Sequence, residues 1–242
     1  MPGSGHAPRR ARLRALEDAA EEVRGHLEPA GRADAPVLPA LRPVVPELPA
    51  GALVSVSGTG AASLGTALLA GVCQEQGWAA VVGIPEFGVR AAAGMGADIG
   101  RLLLADSPGR HWAEAVAALC EGVGLVLTRS PGQVSPALAR RLTALARRHG
   151  CVLVVAGQAW EGTWLRLAVT ESEWDGLSQG HGHLRGRRAR VVARGRGAGE
   201  GRQAAMWLPG PDGAVRPLQE AEPARPARPL REAGRAGRTG VA

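Results

Sequence analysis

The chain has 242 residues and a formal net charge of +7, and all 29 of its basic Lys/Arg positions are arginine; lysine, asparagine and tyrosine are absent. Without lysine there is no Schiff-base nucleophile, no phosphate-loop lysine and no lysine base of a Ser-x-x-Lys enzyme. Cys73, Cys120 and Cys151 are odd in number and set in apolar runs, so reduced core thiols of a cytoplasmic protein are expected, with no disulfide frame. No apolar segment near the start resembles a secretory leader, and no run reaches the 18 or more apolar residues of a membrane span.

Taken in chain order, residues 1–35 contain an amphipathic helix over 9–28, with Leu13, Leu16, Ala20, Val23 and Leu27 spaced three and four apart. Its apolar stripe of Leu13, Leu16, Val23 and Leu27 either packs on the chain's own domain or docks a partner. Prolines at 36, 39, 43, 46 and 49 make 36–50 an extended connector. From Leu53 onward apolar runs alternate with helical segments, the pattern of a parallel sheet flanked by helices. Strands are expected at 52–57, 78–84, 101–104, 123–128 and 151–156, and helices at 61–76, 88–95, 110–121 and 136–149. Ser135 caps the last helix, Pro136 opens it and Gly150 closes it. After Gly157 three β segments, 164–174, 188–194 and 204–208, follow without intervening helices, which implies an antiparallel extension of the sheet. The core is thus 51–211, and 212–242 reads as a disordered basic tail.

The first strand runs into Gly58-Thr59-Gly60-Ala61-Ala62-Ser63-Leu64-Gly65-Thr66, a strand, glycine turn and helix of the kind that aims backbone N–H groups at a phosphate. Aligned on G-x-x-x-x-G-K-[ST], Gly58 fits the first glycine, Ser63 replaces the second, Leu64 replaces the lysine, and Thr66 falls one place late. The strand that should carry a metal-binding carboxylate ends Leu127-Thr128-Arg129. Two independent parts of a nucleotide-hydrolysis site are missing, so Gly58, Gly60, Ser63 and Thr66 read as a vestigial phosphate loop. The chain is expected not to be an enzyme and to hold no cofactor beyond a vestige of an ATP site. A dinucleotide fingerprint through Gly58, Gly60 and Ser63 lacks its ribose-binding acid, since Glu75 comes too early and Glu86 too late.

Residues 185–202 hold seven arginines and one acid, Glu200. Arg185, Arg187, Arg188, Arg190 and Arg194 are candidates for contacting DNA or an acidic protein surface, against the alternative of a solvated strand face. His181 and His183 lack further ligands at metal spacing, so no metal site is expected. Of the six tryptophans, Trp160 and Trp164 flank a short loop and are expected to be exposed.

The order of these segments over 51–209 resembles the RecA ATPase core. Ala79-Ala80-Val81-Val82-Gly83-Ile84-Pro85-Glu86 is similar to the strand leading to RecA's catalytic-glutamate region, and Gly94-Met95-Gly96-Ala97-Asp98-Ile99-Gly100-Arg101-Leu102-Leu103 to its helix-to-strand stretch containing Leu-Gly-Val-Asp. Trp174-Asp175-Gly176-Leu177 followed by Gly180-His181-Gly182-His183-Leu184-Arg185-Gly186-Arg187-Arg188 looks like the actinobacterial ImuA-type proteins. That resemblance implies a RecA-like α/β fold with degenerate nucleotide motifs and a role in damage-induced mutagenic translesion synthesis. It further implies contacts with an ImuB-type relative of Y-family polymerases and with an error-prone C-family polymerase. The alternative from a different class is a DNA-binding recombination or repair protein acting through its arginines.

Overall fold

The computed structural model describes residues 33–178, 181–199 and 201–218, together with Arg14, Asp18 and Glu21, which are helical and exposed. The expected partner stripe of Leu13, Leu16, Val23 and Leu27 lies outside the described residues, as does 219–242 of the expected tail.

Nine strands form one sheet in the order β3-β2-β4-β5-β1-β6-β7-β8-β9. Five parallel strands come first: β1 (Leu53–Gly58), β2 (Ala79–Val82), β3 (Leu102–Ala105), β4 (Leu125–Thr128) and β5 (Val152–Ala156). Between them run α1 (Ala61–Gln74), α2 (Val89–Gly94), α3 (Trp112–Gly122) and α4 (Pro136–His149). β2, β4 and most of β1 and β5 are buried on both faces, because helices cover both sides. One core contains α1 against Val54, Val56 and Val154; the other contains α3 and α4 against Leu53, Leu153 and Val155. α4 follows its sequence signals closely. The Ser135 hydroxyl accepts from the Leu138 amide at 3.3 Å, and Gly150 closes the helix with left-handed φ of 72°. Leu142 is buried while Arg140, Arg141, Arg147 and Arg148 are exposed.

The extension departs from expectation in one respect. β6 (Leu165–Ser178) pairs parallel with β1, and only from β6 onward is the sheet antiparallel, through β7 (His181–Gly195), β8 (Arg202–Trp207) and β9 (Arg216–Pro217). β9 also corrects the start of the expected tail: residues 212–218 are folded back onto β8.

The proline-rich 36–50 is likewise part of the folded core. Leu41, Val44, Val45 and Leu48 are completely buried around a 3-10 turn at Pro39–Leu41. The prolines fix φ and shorten the list of backbone donors that must be paired, and the aliphatic residues between them then pack on α1. Gly71 of α1 allows this: a Cβ there would lie 2.6 Å from the Pro36 carbonyl oxygen. The three cysteines are buried and unpaired. Among the described residues no helix is long and apolar enough to cross a membrane.

Candidate functional site

Only Thr59 and Gly60 separate the end of β1 from the start of α1. A loop that wraps a phosphate needs more chain than this, and here the helix has already begun where the wrapping residues would stand. Leu64 therefore lies inside the first helical turn, its amide donating to the Gly60 carbonyl at 3.1 Å, and its side chain is completely buried in the core. Thr66 is buried as well, and its hydroxyl donates to the Ala62 carbonyl at 2.8 Å. Ser63 is half-buried at the helix start.

Both glycines of the turn are explained by the protein's own atoms. Gly58, at φ of 88°, is paired with Val169 on β6, and a Cβ on it would overlap the Val169 carbonyl oxygen. Gly60, at φ of 105°, lies under the guanidinium of Arg187, and a Cβ on it would stand 2.6 Å from Cζ. Arg187 comes from β7 and is 5 % exposed. Its Nε donates to the Leu208 carbonyl at 2.8 Å, its Nη2 to the Gly60 carbonyl at 3.4 Å, and its guanidinium stacks 5.3 Å from the Trp174 ring centroid. No carboxylate pairs with it among the described residues. Burial pushes its pKa down from the ordinary arginine value, since desolvation penalises the charged form.

Beside the turn, the carboxyl ends of β1, β2, β4 and β5 enclose a cleft of about 250 Å³ lined by Ala62, Thr66, Ile84, Phe87, Leu127 and Ala156. This crevice is where open α/β sheets hold ligands. Its rim carries an ion pair: Arg129 Nη2 donates to Glu86 Oε2 at 2.7 Å, and that hydrogen bond holds the Glu86 carboxyl below its ordinary range. The same contact raises Arg129. At the end of β4, Thr128 is buried, with its hydroxyl accepting from Trp112 Nε1 at 2.8 Å and donating to the Val82 carbonyl at 3.1 Å. That hydroxyl is consumed on the α3 side of the sheet. A nucleotide triphosphate with its metal does not fit these residues. The lining is apolar apart from Ser63 and the buried Thr66, whose hydroxyl is spent on Ala62, and its one cation and one carboxylate, Arg129 and Glu86, hold each other.

The five candidate arginines of the basic strand separate by the two-residue period of β7. Arg187 falls on the same face as Ala189, Val191 and Ala193 and is buried with them, which removes it from any partner surface. Arg188 and Arg190 face outward but are neutralised: Arg188 lies 3.0 Å from Asp175 and over the Trp207 ring, and Arg190 lies 3.0 Å from Glu171. Arg185 and Arg194 are exposed, without an ion pair among the described residues. The alternation of Arg187 with Val191 and Ala193 was a usable signal for burial. Trp160 is also buried, edge-on to Trp112 with ring centroids 6.1 Å apart, and Trp164 is half-buried; the exposed tryptophan is Trp174.

Residues 43–162 match the family model described as the MT3502 N-terminal domain. The chain is 36 % identical over 162 residues to the protein Rv3395c of Mycobacterium tuberculosis, a match covering 62 % of this chain and 79 % of that one. In three dimensions it is similar to the RadB recombinase, with a TM-score of 0.53 at 16 % identity over 75 % of this chain and 97 % of RadB. That likeness establishes a RecA-like fold. The chain belongs to the family of the mycobacterial protein Rv3395c, built on that fold.

Proposed function

We propose that this chain is a non-catalytic RecA-like accessory protein of damage-induced mutagenic translesion synthesis, acting through contacts with an ImuB-type protein and an error-prone C-family polymerase. The observation that carries the non-catalytic part is the placement of Arg187 over Gly60, beside a Leu64 locked in the core. The turn that would cradle a phosphate is two residues long and is packed by the protein's own guanidinium. Phosphoryl transfer depends on positioned cations and a metal ligand, and the residues at those positions are spent on folding. The translesion assignment is supported by the likeness of Trp174–Leu177 and Gly180–Arg188 to ImuA-type proteins.

Two measurements test this reading on the full chain. Purified protein with Mg²⁺ and ATP is expected to show no turnover above background; hydrolysis that disappears in Gly58→Asp overturns the non-catalytic part. Co-purification with the ImuB-type protein of the same genome is expected to recover a complex, and its absence, with the C-family polymerase added, overturns the partner assignment.

A further inference from the structure

The outer face of the extension is a charge ladder with two unlike ends. At one end arginines on β7 meet acids on β6: Arg190 stands opposite Glu171, and Arg188 stands opposite Glu173 and is bonded to Asp175. At the other end Arg194 stands directly opposite Arg166. Both are exposed, and neither has an ion pair among the described residues. Directly opposed residues on antiparallel strands have Cα atoms about 4.5–5.5 Å apart, where like charges destabilise the sheet.

The neighbourhood increases the positive field. Arg196, also exposed, lies in the turn that follows β7. Arg166 neighbours Ser55 of β1, on the same side of the sheet as Leu53, Leu153 and α4. In the last turn of α4 exposed Arg147 sits against Gly51 at the entrance to β1. α3 and α4 pack chiefly on β2, β4 and β5, so among the described residues no helix covers this side of β6–β8.

We propose that Arg166 and Arg194, flanked by Arg196 and Arg147, bind the phosphodiester backbone of nucleic acid. The proposal goes beyond the adaptor reading and stands without it. Guanidinium forks donate to the non-bridging oxygens of phosphate, and a nucleic-acid strand presents one such anion per nucleotide, so a row of arginines without acidic partners can meet successive phosphates. Ala168 and Val192, the next opposed pair on this face, are half-buried and bring no charge of their own.

The test is fluorescence anisotropy of the full chain with a labelled 20-nucleotide oligothymidylate across a salt series, with matched variants. Arg166→Ala/Arg194→Ala is expected to weaken binding about tenfold or more and to lower the salt slope by about 1 to 2. Arg194→Glu is expected to weaken binding further while leaving the melting temperature unchanged or higher, because the new carboxylate faces Arg166. Arg90→Glu, which makes the same change of net charge on exposed α2, is expected to alter affinity by less than about twofold. The proposal is overturned if the double variant binds like the parent or if Arg90→Glu weakens binding equally. It is also overturned if polyglutamate displaces the oligonucleotide as effectively as unlabelled oligothymidylate at equal charge, which would assign the face to an acidic protein.

Discussion

The guanidinium of Arg187 occupies the space that a side chain at Gly60 would need, 2.6 Å from the ideal Cβ position to Cζ. Gly60→Ala meets both this contact and a φ of 105°, and is expected to cost about 2–3 kcal/mol. Because the two residues touch, Arg187→Ala should relieve part of the penalty. A double-mutant cycle by urea unfolding is expected to give a coupling of about 1 kcal/mol or more, whereas additivity would show that the contact is not felt.

Restoring the missing lysine should restore nothing. In Leu64→Lys the ammonium enters the α1 core in place of a completely buried leucine, at a cost of at least ~3 kcal/mol. Thermal unfolding should show the loss, and a Mg²⁺-ATP assay of the folded fraction should show no turnover. Gain of hydrolysis would mean that the turn still cradles phosphate.

Thr128 links three elements through one hydroxyl. Thr128→Val keeps the shape but leaves the indole N–H of Trp112 without its partner, and is expected to cost about 1–2 kcal/mol. A larger shift of the Trp112 emission than of the far-ultraviolet signal would locate the damage at that contact.

The Glu86–Arg129 pair makes a pH prediction of definite sign. Because Arg129 lowers the Glu86 pKa in the folded state, the contribution is present above the unfolded carboxylate pKa and is lost as pH falls through the folded one. The stability difference between the parent and Glu86→Gln should therefore be visible at neutral pH and close toward acid. A difference that grows on acidification would refute the assignment.

Burial on the core side of α1, with the nearby Asp98 carboxylate adding to it against Arg101, pushes the Cys73 thiol up to about 11. Roughly one molecule in a thousand carries the thiolate at pH 8. Cys151, wholly enclosed, is likewise raised by burial. Native protein should leave these two thiols unmodified by a disulfide reagent at pH 8, and urea should release them; prompt reaction without denaturant would contradict the packing.

Much of this fold was legible because the signals were local. The boundaries of β1, β4 and β5 follow apolar runs, and α4 follows its cap, its proline and its closing glycine. Non-local relationships were not legible. Glycines 58 and 60 suggested a phosphate, but the atoms that require them belong to Val169 and Arg187, more than a hundred residues away in sequence. The prolines of 36–49 suggested an extended connector, although Leu41 and Val44 between them needed only α1 to pack on. In the basic strand, composition concealed a period of two that sorts Arg187 from Arg188 and Arg190.

The position of β1 has a kinetic consequence. Both its neighbours arrive late, since Leu53 pairs with Leu153 and Val54 with Leu165, about a hundred residues downstream. During synthesis β2 and β3 can pair soon after they emerge, whereas β1 stays without a strand partner until about a hundred further residues have been made. Closing that long loop is then the slow step, and an apolar strand left waiting for it is where a chaperone would find this protein most in need of cover.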